Sequence, residues 1–343
     1  MNVSPNLKRK QRGLALISIM VMVTLMTILL SGIFYRHQLD IVRAIRVISG
    51  EQAMLLALST ESWALNVFVE DDKKVDHLNE DWARQIPVLP IEGGTVTGKI
   101  IDLQGRFNLN NFIYYASAKT WQKESEDISG TSLIATYTRL LESLELDADL
   151  AKAAVIVDWI DSNSGLISSD GAEDDEYYRL GKAYVAANAM MVEPEELALL
   201  SGYQINDVMT LADSISALPA QTLLNINTAD RRLLMALHQD IDEAVADEII
   251  DQRPFEDLDE FYATVDGLLN STVSAKVLLS ALVDIKSRYY VMQADVRLGD
   301  IRIQLDSHIE RNDDGQAAVL FRRMQFVPLL AQTIDPSDAV EIN

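Results

Sequence analysis

Hydrophobic and polar residues change their period three times along this chain. Leu14 to Tyr35 is apolar and uncharged, broken only by Ser18, Thr24, Thr27, Ser31 and Gly32. At about 1.5 Å rise per residue, a helix of that length spans the roughly 30 Å hydrocarbon core of a bilayer. From Arg36 to Val69 the apolar positions Leu39, Ile41, Val42, Ile45, Ile48, Leu55, Leu56 and Leu58 follow a helical spacing between Arg43, Arg46, Glu51 and Glu61. No proline interrupts them, so one helix is expected from Leu14 to Val69, half in lipid and half packed on its own domain. Glu70 to Glu92, with Pro87 and Pro90, reads as a loop with a short helix around Trp82. Thr95 to Leu103 alternates as a strand, and Gly105 with Asn108, Asn110 and Asn111 favours a turn held by side-chain to backbone hydrogen bonds. Ser132 to Lys286 is predominantly helical. From Tyr289 the period returns to two, with turn residues at Leu298-Gly299-Asp300 and Asn312-Asp313-Asp314-Gly315, which predicts a three-strand antiparallel meander. The expected fold class is α+β: a long N-terminal transmembrane helix packed on a small, four-strand antiparallel sheet, with a large all-α domain inserted between the first strand and the rest.

Charge orients this arrangement. Lys8, Arg9, Lys10 and Arg12 precede the apolar stretch without an acidic residue beside them, so the short N-terminus stays cytoplasmic and everything after Arg36 is exported. The net charge of −23 argues against nucleic acid, whose phosphates need a positive footprint. Cysteine is absent, which excludes disulfides and thiolate metal sites. His37, His77, His238 and His308 are scattered without ligand spacing.

Acidity concentrates in Asp158 to Glu176, DWIDSNSGLISSDGAEDDE. Carboxylates crowded on glycine-containing turns suit Ca²⁺, which takes six to eight oxygens. The EF-hand pattern fails: Asp161 and Asn163 fit its first and third places, but Gly165 and Leu166 fall at the fifth and sixth, and Ala172 at the twelfth. From composition alone a calcium site and a solvated acidic loop stand level. Asp158 lies three residues before Asp161, on one face if helical, and could equally cap or pair. Leu223 to Ala263 reads as helix, hairpin, helix, with Thr228 as first N-cap, and is similar to helix-hairpin-helix DNA-binding modules. Its hairpin, Gln239-Asp240-Ile241-Asp242, is acidic and lacks glycine, so a protein scaffold is the better reading. The chain has no GxSxG, no P-loop and no HExxH, and no enzyme is expected.

Gly13 ends the basic leader at the apolar boundary, QRG before LALIS, and this junction resembles the cleavage site of type IV prepilins and pseudopilins. The resemblance implies a prepilin peptidase cut after Gly13, leaving a mature chain that starts at a methylated Leu14. The fifth mature residue, a glutamate in most pilins, is Ser18 here. By the resemblance that glutamate neutralises a neighbour's terminal amine, so a subunit without it suits the fibre tip. Four further stretches look like one family: IIDLQGRFNLN from Ile100, DWID from Asp158, GAEDDEYY from Gly171 and LLNINTADRRLLMAL from Leu223. Their order and spacing over the whole chain resemble the K-type minor pseudopilins of type II secretion systems.

That resemblance implies a pilin-like, non-enzymatic subunit of the inner membrane with a periplasmic globular part, capping the pseudopilus tip. Its implied partners are I-type and J-type minor pseudopilins, the major pseudopilin and the inner-membrane assembly platform. It implies structural Ca²⁺ in the α-domain, with Asp161, Glu173, Asp174, Asp175 and Asn188 as ligands. The expected divisions are a prepilin leader over 1–13, the transmembrane helix over 14–35, its periplasmic half over 36–70, and a loop, first strand and turn over 71–131. The acidic α-domain covers 132–286, with the helix-hairpin-helix-like part at 223–263; the meander covers 287–327 and a tail 328–343. A minor pilin of a related type IV pilus, and an uncleaved signal-anchored periplasmic binding protein, are the other readings.

Overall fold

The structure, a computed structural model, describes residues 11–71, 74–126, 130–269, 273–312 and 314–328. Leader residues 1–10 and the tail beyond Pro328 lie outside the described residues. Helix α1 runs unbroken from Gln11 to Glu70, about 90 Å at the α-helical rise. Within its apolar part, the hydroxyls of Thr24 and Thr27 donate back to the Met20 and Val23 carbonyls at 2.8 Å, so their polarity is satisfied inside the helix. This part is long and apolar enough to cross a membrane.

The outer half of α1 lies on a five-stranded, wholly antiparallel sheet of order β1-β2-β7-β8-β9. The strands are β1 Ile86–Ile91, β2 Gly94–Asp102, β7 Tyr289–Leu298, β8 Ile301–Arg311 and β9 Ala317–Pro328. Strand β1 corrects the expected loop at 70–92 and the four-strand count, and residues around Trp82 form turns instead of a helix. Its prolines read as breakers, yet β1 is an edge strand, where a missing N–H costs no internal ladder bond. Ala53, Ala57 and Ala64 let α1 approach closely, and Phe68 packs on Tyr290 with ring centroids 4.6 Å apart. Buried Glu61 accepts from Ser307 at 2.6 Å and from Arg322 at 2.6 and 2.8 Å, which pins the helix to β8 and β9.

Helix and sheet run together for most of a strand's length. Arg46 reaches Asp300 at 3.8 Å, beside the β7–β8 turn, and Phe68 meets Tyr290 at the other end of β7. From Gly50 to Phe68 the helix climbs about 27 Å, and Tyr290 to Leu298 spans about the same. The sheet therefore has a membrane-near end, at the β1–β2 and β7–β8 turns, and a distal end, at Asp102 and Tyr289. The chain leaves β2 and re-enters β7 at the distal end, as neighbouring strands, so everything from Leu103 to Arg288 is one insertion there.

The neck of this insertion is a buried polar network. The Asp102 carboxylate accepts from Ser287 Oγ and Thr228 Oγ1 at 2.6 Å, from Asn225 at 3.1 Å and from the Gln104 amide at 2.7 Å. Asp76 accepts from the Tyr290 hydroxyl at 2.7 Å and the Ser287 amide at 2.8 Å. Arg311 joins Asp71 and Asp76, each at 2.5 Å.

The insertion holds helices α2 Ala118–Ser125, α3 Leu133–Ser143, α4 Leu150–Ile160, α5 Asp174–Arg179 and α6 Ile205–Leu211, followed by α7 Arg231–Leu237, α8 Glu243–Asp251, α9 Leu258–Leu268 and α10 Ala275–Leu279. Two short parallel ladders tie it, β3 Phe107–Asn108 with β4 Ile215–Ser216 and β5 Leu224–Asn225 with β6 Val283–Asp284. Its core, around Phe112, Ile134, Tyr137, Ile156, Leu233 and Phe261, is separate from the one between α1 and the sheet. Part of the chain's acidity is spent on helix starts: Asp149, Asp230, Asp242 and Asp257 each accept an amide of the first turn. The first cap of the helix-hairpin-helix-like part is therefore Asp230, correcting Thr228, whose hydroxyl is turned to Asp102 instead.

Phe68→Ala removes the largest buried side chain of α1; the expected loss is about 3–5 kcal/mol of unfolding free energy, read by denaturant titration of the whole chain. A loss below about 1 kcal/mol would show that the helix is not held by this contact.

Candidate metal centre

Helix α4 ends at Ile160, and the chain turns through 161–173 into α5. Asp158, in the last turn of α4, is fully buried, and one of its oxygens accepts the Ile167 amide at 2.9 Å. Asp161 and Glu173 are buried beside it. Four of their carboxylate oxygens find no hydrogen-bond partner: Asp158 Oδ2, Asp161 Oδ2 and both oxygens of Glu173. Gly171 closes the loop over them, and a Cβ there would meet Asp158 Oδ2 at 1.9 Å, so no other residue fits without moving the carboxylate. Burial pushes Glu173 up to about 7, helped by the charges of Asp158, Asp161 and Asp174. Burial likewise raises Asp158 to about 6, against the Ile167 amide that favours its anion. Carboxylates held this way are expensive without a counter-charge.

Asn188, at φ +49°, reaches the same loop from the far side. One end of its carboxamide lies 3.0 Å from the Asp161 carbonyl and 3.2 Å from that of Asn163. With nitrogen at that end the amide donates to both carbonyls. With oxygen there, three oxygens converge, and only a cation between them makes that favourable. Of the expected ligands, then, the fold gathers Asp161, Glu173 and Asn188 around one loop. Asp174 stands at its edge, one oxygen taken by the Ala186 amide at 3.1 Å, and Asp175 is exposed on the first turn of α5. Asp158 belongs with the first three, and its spacing to Asp161 at a helix end is the signal for it. All the donors are oxygens, as calcium requires.

A second acidic group lies at the neck. Among the described residues, Asp71, Asp76 and Glu80 form the one trio placing an oxygen from each within 4.8 Å of the others. These have protein partners: Arg311 for both aspartates, and the Trp82 indole at 2.7 Å and His77 amide at 2.8 Å for Glu80. Asp158, Asp161 and Glu173 stand further apart, so an ion among them would need main-chain and amide oxygens as well. In the helix-hairpin-helix-like part, Asp240 and Asp242 occupy the hairpin, Ile241 is buried, and Arg231 is paired with Glu243 and Asp247 at 2.6 Å. This is a scaffold packed on α3 and α9, with acidic side chains where phosphate would sit.

Residues 105–220 match the first family model of type II secretion system protein K, and residues 224–283 match a second model of the same protein. The chain is 32% identical to the type II secretion system protein K of Aeromonas hydrophila, over 92% of this chain and 97% of that protein. It belongs to the protein K family. The protein K of Pseudomonas aeruginosa is 31% identical over 93% of the chain and 94% of its own length. For the fold, a chain in the crystal structure of the GspK-GspI-GspJ complex from the enterotoxigenic Escherichia coli type 2 secretion system superposes with a TM-score of 0.69. That match has 24% identity and covers 82% of this chain and 99% of that one. Protein K is a structural minor pseudopilin of type II secretion, not an enzyme.

Without metal, the raised carboxyls set a pH dependence. Glu173 and Asp158 bind protons more tightly folded than unfolded, so their contribution to stability is complete below about pH 4 and lost as pH rises through about 6 to 7. In chelator, melting temperature should therefore fall more steeply over that range in the wild type than in Glu173→Gln, and excess calcium should flatten the wild-type curve. Identical slopes for both proteins in chelator would show that Glu173 is solvated.

Proposed function

We propose that this subunit caps the tip of the type II secretion pseudopilus and helps the inner-membrane platform start its assembly. The observation that carries the reading is the place of the insertion, at the membrane-distal end of the sheet. A domain of that size there leaves no room for another subunit to stack above, whereas a fibre-body subunit needs that end free. Supporting it, α1 exposes Ile41, Ile45, Val47 and Ile48 before it reaches the sheet, and Met54, Leu55 and Trp63 where its opposite face, with Ala53, Ala57 and Ala64, is buried. Such a stripe fits the helices of other pseudopilins, and the I-type and J-type partners are carried over from the GspK-GspI-GspJ complex. The chain is anchored in the inner membrane with its N-terminus cytoplasmic and its globular part periplasmic. A prepilin peptidase cuts between Gly13 and Leu14, and Leu14 is methylated. Ser18, lacking a carboxylate, gives no partner to the terminal amine of a subunit above it.

In the α-domain the acidic loop takes Ca²⁺, held by Asp158, Asp161, Glu173 and the Asn188 carboxamide oxygen with main-chain oxygens. The ion supplies the counter-charge that the unpartnered carboxylates lack and joins the turn after α4 to the segment at Asn188. Its role is structural.

Co-purification of the full chain with candidate I-type and J-type subunits, with N-terminal sequencing of the membrane-extracted protein, tests the reading. A ternary complex and a methylated Leu14 start are expected; a chain still beginning at Met1 would return it to an uncleaved signal anchor. Ser18→Glu is expected to let the subunit enter the fibre body only if the insertion is also removed, since bulk is the stronger bar. For the ion, stability should rise by about 1.4 kcal/mol per tenfold increase in free calcium above its dissociation constant; a flat response up to millimolar calcium counts against the site.

A further inference from the structure

The insertion meets the sheet at the neck, through an apolar cluster of Leu103, Leu218, Tyr289 and Val291, and through an ionic contact. Besides the neck, Arg323 of β9 reaches across the seam. Its guanidinium donates to Asp306 of β8 at 2.9 and 3.3 Å and, from Nη1, to Glu193 at 3.2 Å and Glu195 at 3.3 Å. Glu193 and Glu195 belong to the insertion. Arg323 pairs with Asp306 and Asp306 with Gln293, three residues along β7 from Tyr290 at the neck. Close packing is incomplete here: the seam has a cavity of about 90 Å³ lined in part by Ser216, His308 and Arg323. Arg323 adds to the neck and the apolar cluster a charged contact farther along the sheet.

Both carboxylates of this contact sit on the segment that starts at Asn188. Two connections lead from the acidic loop to it. Along the chain, Asn188 is followed by Met191, whose amide and carbonyl are both held by buried Asn110 at 2.9 Å, and then by Glu193. Across the fold, Trp159, between Asp158 and Asp161, donates its indole N–H to Glu196 at 3.3 Å, and Glu196 accepts the Val192 amide at 2.6 Å and the Glu193 amide at 3.3 Å. The residues that would hold the ion and the residues that grip the sheet thus bracket one short, hydrogen-bonded segment from both sides.

We infer that cation binding in the acidic loop and the Arg323 contact between the α-domain and the sheet are energetically coupled, so that a loaded loop fixes the domain's orientation on the sheet. The inference rests on the calcium reading above. Coupling is reciprocal, so an intact Arg323 must in turn strengthen calcium binding. Its sign separates it from simple electrostatics. Removing a positive charge from an acidic protein should tighten Ca²⁺ through space, whereas removing a mechanical support should weaken it.

The test measures calcium affinity of the full chain in detergent by chelator competition at about 0.15 M salt, where long-range charge effects are screened. Wild type is set beside Arg323→Gln, the matched control Arg302→Gln, whose partner Asp295 lies within the sheet, and Glu195→Gln, an exposed change that spares the fold. Arg323→Gln is expected to bind calcium about fivefold more weakly, Arg302→Gln as wild type, and Glu195→Gln in between. Hydrogen exchange should show amides 192–196 and β9 slowed by calcium in wild type but not in Arg323→Gln. Unchanged or tighter binding in a folded Arg323→Gln would overturn the coupling while leaving the calcium site standing. No binding by wild type would overturn the site, and the coupling with it.

Discussion

The neck between the sheet and the α-domain is organised around one guanidinium, that of Arg311. Arg311 pairs with Asp71 and Asp76, with Glu80 beside them and Asp102 one hydrogen-bond layer away. Burial pushes Asp102 up to about 6 and, together with the Glu80 charge, Asp71 up to about 7, and it raises Glu80 as well. Arg311 and a shell of hydroxyls and amides offset that cost, and removal of one partner would leave the others stranded. These partners come from the turn after α1, the end of β2, the insertion at Asn225 and Thr228, the start of β7 and the end of β8. The network thus checks, in one place, that five remote pieces of chain have met correctly.

Much of this was legible in residue order. The long helix, the strand before the helical block and the meander after it follow from period alone, because each is long and its pattern uninterrupted. Strand β1 was not, since Pro87 and Pro90 look like breakers until one knows that their strand lies at an edge. Thr228 shows the other limit: as a helix cap it competes with Asp230 two residues on, and the choice is settled by Asp102, more than a hundred positions away in sequence. Of the acidic loop, the crowding of carboxylates between Asp158 and Glu176 was legible from composition, whereas the burial of Asp158, Asp161 and Glu173 side by side was not. The exposure of Asp175 depends on which face α5 turns to the core, and six residues are too few to read that from a pattern.

The two ends of the molecule make complementary demands. At the membrane-near end, α1 keeps one apolar face for its own sheet and another open, which is what a helix must do to join an assembly without losing its fold. At the distal end, the ends of β2 and β7 carry the insertion. The asymmetry is one of position: the open apolar face lies along the helix, and the insertion stands at the other end of the sheet.

The insertion also alters how the sheet can close. Strands β2 and β7 are neighbours joined through roughly 190 residues, and closing so long a flexible loop costs about 3 kcal/mol more entropy than closing a tight hairpin. A folded insertion erases that difference, because its first and last residues, Leu103 and Arg288, already lie side by side at the neck. To the pilin-like body, the whole α-domain then behaves as an oversized hairpin turn. The sheet inherits the local topology of a simple meander, while the distance in sequence that would have slowed its pairing is absorbed by a domain with a core of its own.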